Sequence, residues 1–456
     1  MRKLKDKILL ELSQILGDKY VITDKEKMYN YAFSTLSSKI MYPLGVLLPK
    51  NVSEISLVMK YCYENEVNIT VRGGGSNVSG GALSSGNDII LSLERLNTIV
   101  EVNKIDRTIT VESGVITEKI YEEALKHNLI YPQNISSSSQ SFIGGNIALS
   151  SGSPNSLKYG SIKNTVLNLE VVLPNGQTMW TGKNVTKNAT GYNFTQLFIG
   201  SEGTLGIITK AVLKLEIPIE TVLLLIPFSS ISKLFDFVNA FFENEFNAVS
   251  MEFIDKNGYE LVSNFLNKKN QFGNAIEGIL WIEYELHTKH NIEDLYIFIS
   301  TYTNQEILFA ENEADKKRLW EHRKRIGDAS INYSIFKDID IVVPRCNSFL
   351  IYNEINAVCN SFNFYFIIVG HIGDGNFHVN IFKDKSINWE KNMDACLTHI
   401  FQAVNKYGGT ISGEHGIGSL YNPYLKLVMP EYQINLMNQI KYLFDPKNIL
   451  NAHLIF

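Results

Sequence analysis

Residues 71–81 read VRGGGSNVSGG, and no other stretch limits so strongly what the chain can do there. A β-branched run, NITV, feeds into five glycines, an arginine, two serines and an asparagine. Lacking Cβ, Gly73, Gly74 and Gly75 can take positive φ and turn successive N–H groups into one concavity suited to a phosphate or pyrophosphate, with Arg72 adding charge at its rim. An ordinary glycine-rich turn is the plainer alternative. There is no G-x-G-x-x-G spacing, and another turn and the strand-like DIILSL follow instead of a helix, so the Rossmann and P-loop contexts both fail. Any nucleotide held here lies along an extended loop.

The rest of the chain is ordinary globular material: 456 residues, 45% hydrophobic, 20% charged, enough for two to four structural units. A net charge of −5 without a basic stripe argues against nucleic acid. The apolar N-terminal run is only ILLEL, no stretch reaches the length of a membrane span, and a soluble cytoplasmic protein is expected, reaching a membrane only through partners. Cys62, Cys346, Cys359 and Cys396 are scattered without C-x-x-C, as reduced structural thiols are. Any iron–sulfur cluster must then sit on another protein.

In chain order, helices are expected from residue 3 to 20 and from 54 to 66, the second capped by Ser53 and burying Leu57, Val58 and Tyr61. Short strands follow the glycine tract, then a helix capped by Thr117. The small-residue tract 132–161 lacks apolar periodicity and is expected to form no regular element; Gly144, Gly145 and Asn146 repeat the backbone-exposing chemistry of the first tract. VLNLEVVLPNGQTMW reads as strand, turn and strand, and GSEGTLGIITKAVLKLEIP as a third glycine loop entering a strand, with Pro218 near a boundary.

RGGGSNVSGG, IGGN, LKYG, LEVVLPNG and GSEGTLGIIT, in this order and spacing, resemble the FAD domain of the vanillyl-alcohol-oxidase-type flavoprotein superfamily. The resemblance implies an α+β protein: an FAD-binding domain over 1–219, a cap or substrate domain with an antiparallel sheet over 220–410, and a helical segment 411–456 returning to the FAD site. It assigns FAD contacts to Arg72, Gly73, Gly74, Gly75, Ser76, Asn77 and Gly80, to Ser137, Gly144, Gly145 and Asn146, to Gly203 and Ile208, and to Asn451. No Cys or His near the first loop suits a covalent tether, so the FAD is expected to be non-covalent. Within 220–410, strand–helix–strand alternation fits the cap, with IEGILWIEYE and FYFIIVGH as central strands and a charged helix near 311–329.

GHIGDGNFHVNIF, 370–382, can be read geometrically. A two-residue type I′ turn at Asp374 and Gly375 sets His371 opposite His378, with Cβ atoms about 5 Å apart, where two imidazoles can share a metal. A cross-strand His pair without an ion is the alternative. In GGTISGEHGIG, 408–418, Glu414 and His415 lie between glycines where both side chains can enter a cleft. Two His and one Glu leave coordination positions open for substrate, and His415 stays available as a base.

GHIGDGNFHVN with SGEHGIG is similar to the group containing the glycolate oxidase subunit, D-lactate dehydrogenase and D-2-hydroxyglutarate dehydrogenase. The resemblance implies oxidation of a D-2-hydroxy acid, zinc or manganese on His371, His378 and Glu414, and His415 as the base. It also implies that Arg323, in W-x-x-R, holds the substrate carboxylate, with Lys337 in a similar role. Asn134, Tyr421 and the closing Asn451-Ala-His-Leu depart from the relatives' Asp, Lys and N-P-G-K. D-lactate or glycolate is the expected substrate, with an electron-transferring flavoprotein or iron–sulfur subunit as acceptor. The alternatives are an oxygen-using oxidase and an electron-relaying subunit of a larger complex.

Overall fold

In the computed structural model, which describes residues 2–33, 40–273, 275–384 and 388–454, the glycine tract leaves strand Ile69–Arg72 at the edge of a four-stranded sheet. Next to it come Ile89–Ser92, Gly45–Leu47 and Val21–Ile22, the first two pairings parallel and the last antiparallel. Helices Arg2–Leu16 and Val52–Glu64 share this sheet's core through Leu12, Ile55, Val58, Met59 and Cys62. A second sheet, five-stranded and antiparallel, runs in the order Ile99–Asn103, Thr108–Glu112, Ile207–Lys214, Val166–Val172, Thr178–Trp180. Both sheets belong to a first unit, Met1–Gly152, Ser161–Pro218 and Glu414–Phe456.

The second unit is Ser153–Gly160 with Ile219–Gly413. Its seven-stranded sheet is antiparallel throughout, in the order Leu308–Ala310, Thr221–Phe228, Gly278–Glu285, Ala248–Asp255, Phe366–Gly370, Asn376–Phe382, Phe336–Val342. The two strands expected at its centre, Gly278–Glu285 and Phe366–Gly370, are interior. The class is α+β.

Local expectations fail where a side chain has another task. The helix expected from 54 begins at Val52, because the Asn51 side chain accepts the Glu54 N–H at 2.9 Å. Its inward stripe is Ile55, Val58, Met59 and Cys62, while Leu57 is 54% exposed. Thr117 does not cap its helix; the cap is Ile116, and the Thr117 hydroxyl instead donates to Asn146 Oδ1 at 2.6 Å. The tract 132–161 does contain regular structure, helices Ile143–Leu149 and Ser156–Tyr159, too short for a periodic signal although Ile143 and Ile147 enter the core one turn apart. The charged helix near 311–329 is two, Glu313–Lys324 and Ile326–Tyr333, parted at Arg325. No helix among the described residues is long and apolar enough to cross a membrane.

Candidate active site

The first unit carries a groove of about 750 Å³ walled largely by backbone. Gly73, Gly74 and Gly75 form one side with Ser76 and Asn77, Gly144, Gly145 and Asn146 another, and Gly203, Ile208 and Asn451 complete it. Close approach explains the glycines: a Cβ on Gly74 would stand 2.2 Å from the Gln140 carbonyl oxygen. At Gly145, by contrast, a Cβ would meet nothing within 4 Å, so the position faces open groove. Bare backbone on opposed walls is the surface a dinucleotide's phosphates and flat rings require, and the residues present fit FAD.

Three of the residues assigned to the cofactor do not reach this wall: Arg72, Gly80 and Ser137. Arg72 was expected at the rim; it is 7% exposed, and its guanidinium donates to the carbonyls of Ala82 and Asn30, both at 3.3 Å, behind the loop. Gly75 at φ 75° leaves the space that this guanidinium fills. Gly80 packs on Ser419, and the Ser137 carbonyl accepts the Gln140 and Ser141 N–H groups to start a turn. Asn451 has both ends of its amide engaged: Oδ1 accepts Val71 N–H at 2.8 Å and Nδ2 donates to the Glu202 carbonyl at 2.7 Å.

The segment bearing Glu414 and His415 is fastened to the same loops. The His415 carbonyl accepts from Asn77 Nδ2 at 3.0 Å and Ser79 Oγ at 2.9 Å. Beyond it, the N–H groups of Ile417 and Gly418 donate to Glu202 Oε1 and Oε2 at 2.7 and 2.9 Å. The His415 ring is 27% exposed, with Nε2 3.7 Å from Glu414 Oε1.

In the second unit the histidine pair arises by a different turn from the one expected. Val369, not His371, opposes His378, because residues 372–374 make a 3₁₀ turn and the N–H groups of Asp374 and Asn376 both donate to the His371 carbonyl. A type I′ turn needs positive φ at both central residues, and only Gly375, at 73°, has it. The imidazoles are neighbours nonetheless, with centroids 5.3 Å apart and planes at 89°. Each has a carboxylate at Nδ1. For His371 it is Glu252, fully buried on strand Ala248–Asp255, with Oε1 at 2.6 Å. For His378 it is the cross-strand Asp340, 3.9 Å away, which also accepts the Gly413 N–H at 2.9 Å. The Glu252 carboxylate orients the His371 ring, and two adjacent buried imidazoles with carboxylates behind them are a donor set that fits a divalent ion.

Arg323 reaches the same cluster by way of Glu252, whose Oε2 accepts Nε at 2.8 Å and Nη2 at 2.7 Å. Burial pushes the Glu252 carboxyl up, but His371 and Arg323 together outweigh it and hold the group below its ordinary value. Lys337 does not share the histidine face. It pairs with Ile381 whereas Asp340 pairs with His378, and side chains alternate, so Lys337 points to the opposite side and Asp338 takes the face expected for it. Burial lowers the Lys337 ammonium to about 8. Glu252, Asp340 and Glu202 had no sequence signal, since each is defined by a partner on a distant segment.

Residues 217–454 match the family described as "FAD linked oxidases, C-terminal domain", and residues 43–182 match "FAD binding domain". A D-2-hydroxyglutarate dehydrogenase of Stutzerimonas stutzeri (strain A1501) is 28% identical over 98% of either chain. The glycolate oxidase subunit GlcD of Bacillus subtilis (strain 168) is 30% identical over 98% of this chain and 96% of its own. The solved 4-ethylphenol oxidase of Gulosibacter chungangensis, 16% identical, covers 99% of this chain and 97% of its own at a TM-score of 0.77, a likeness of fold. With one family match across more than half of its length and a 30% identical relative along nearly all of it, the chain belongs to the FAD-linked oxidases and is an FAD-dependent oxidoreductase.

Proposed function

We propose that the protein oxidises a D-2-hydroxy acid, D-lactate or glycolate foremost, to the 2-oxo acid and passes the electrons to a separate protein acceptor. The observation that carries this reading is the fastening of the His415 carbonyl to Asn77 and Ser79, which ties the backbone of this residue to the glycine tract that walls the groove. FAD bound there would accept the substrate's C–H electrons as hydride at its flavin N5. Among the described residues that line the groove there is no Cys, His or Tyr, in keeping with a non-covalently held cofactor. Zinc or manganese on His371, His378 and Glu414 would lower the pKa of the substrate hydroxyl. Neutral His415 takes the hydroxyl proton as the C–H bond breaks. Glu252 fixes the His371 tautomer, and Arg323, joined to His371 through Glu252, supplies positive charge for the substrate carboxylate.

The names of the relatives support the substrate class, and the designation of the Bacillus subtilis relative as a subunit supports an electron-transferring flavoprotein or iron–sulfur partner over dioxygen. His415→Asn should keep its FAD yet reduce it at least about 100-fold more slowly when mixed anaerobically with D-lactate or glycolate, the scale of a lost general base. A near-native rate overturns the assignment. Chelation should abolish turnover and leave the yellow colour; full turnover after metal loss, verified by elemental analysis, removes the ion from the reaction.

A further inference from the structure

Glu202 is one of eleven described residues other than glycine in the left-handed region, at φ 50°, where an unbranched acidic side chain gains nothing locally. An outlier of this kind persists when the surroundings over-determine it. Here every polar group of the residue has a partner: its N–H donates to the Ala148 carbonyl at 2.8 Å, its carbonyl accepts Asn451 Nδ2, and its two carboxylate oxygens take the adjacent N–H groups of Ile417 and Gly418. The receiving segment is shaped to it, since a Cβ on Gly416 would come within 3.1 Å of the Glu202 carboxyl carbon. On the other flank the His415 carbonyl is held by Asn77 and Ser79. The peptide from 415 to 418 is therefore fastened at both ends to walls of the flavin groove, which leaves the His415 ring only its own side-chain torsions.

We propose that Glu202 is the positioning residue that holds His415 in reach of the flavin, its carboxylate acting as a two-pronged clamp on the backbone just after the base. The idea rests on His415 being that base. Glutamine can accept only one of the two N–H bonds and turns its own NH₂ toward the other, so the segment should loosen. A displacement near 1 Å at a reacting group slows chemistry by about 100-fold.

The test uses the FAD-loaded full chain carrying Glu202→Gln, Glu202→Asp, His415→Asn, or Glu202→Gln with His415→Asn. Glu202→Gln should retain FAD and a KM within about threefold, and slow anaerobic flavin reduction by D-lactate about 10- to 100-fold, with Glu202→Asp recovering part of the loss. In the His415→Asn background the same change should cost less than about twofold, because the group being positioned is gone. A substrate-free measurement accompanies it: carbethoxylation of His415 by diethyl pyrocarbonate, mapped by peptide mass, should be severalfold faster in Glu202→Gln. Native rates of both reduction and labelling, or an undiminished loss in the double variant, overturn the clamp. If His415→Asn reduces flavin normally, the reading of the base falls instead, and the labelling rate alone decides the clamp: faster supports it, unchanged overturns it. Should Glu202→Gln fail to load FAD, Glu202→Asp carries both measurements.

Discussion

The flavin groove and the histidine face are built on opposite rules. The groove is made by removing side chains: Gly74 lies against the Gln140 carbonyl, Gly145 opens into empty space, and the one charged residue of the first tract, Arg72, is withdrawn behind the loop. The histidine face is made by adding them, with a buried carboxylate behind each imidazole and a guanidinium behind one carboxylate. A surface of bare backbone tolerates no new atoms but little depends on any one polar group; a surface of paired charges tolerates new shapes but not the loss of a partner.

The contrast breaks first, if it breaks, at Gly145. Because a Cβ there meets no protein atom, Gly145→Val should fold with an unchanged melting temperature and load essentially no FAD, read from absorbance near 450 nm in the purified protein. A yellow Gly145→Val would mean that the cofactor lies elsewhere. The opposite behaviour is expected of Glu252→Ala, which leaves the FAD in place, lowers metal affinity about 10- to 100-fold and destabilises by about 1–3 kcal/mol by taking the carboxylate partner from His371 and the half-buried Arg323. Metal titration and thermal melts check the two parts separately.

Lys337 sharpens the comparison at its weakest point. Facing away from His378, it should bear on stability and not on substrate binding, so Lys337→Met should alter KM by less than about threefold. Its pH signature has a definite sign. Burial holds the folded ammonium near 8, below its ordinary value of 10.5, so between those pH values the unfolded chain binds more protons. Native stability should therefore rise with pH across that window relative to Lys337→Met, by at least about 2 °C in melting temperature. Parallel curves would remove the burial argument.

How much of this could be read from the chain follows the same division. The groove was legible because its determinants are contiguous: a glycine that must touch backbone is visible as a glycine, and three such tracts in order identify the domain. The pairing of His371 with His378 was legible too, although for the wrong reason, since the 3₁₀ turn shifts the register to Val369 and the rings meet from unlike backbone positions. Glu252 was invisible because its partner is 119 residues away, and an acidic residue in a strand carries no mark of burial. Lys337 was misplaced by one residue, and in a strand one residue exchanges the faces. Arg72 looked like a rim charge because sequence cannot tell a cation facing a ligand from one satisfied by carbonyls.

The clasp at Asn451 has a consequence for the order in which the molecule can be made. Val71 and Asn451, which it joins, are 380 positions apart; His415 and Asn77 are separated by 338, and Lys441, which donates to the Thr204 carbonyl, by 237. The seven-stranded sheet, in contrast, draws on residues 221–382 alone. On the ribosome, where chains grow at about 5–20 residues per second, that sheet has all its strands before Glu414 is added. The strand Ile69–Arg72 meanwhile waits with one edge unpaired for Leu450 to arrive. With FAD in the groove as proposed, flavin capture is a late event in the life of each nascent chain, and the interval before it is when the unfinished edge is open to aggregation.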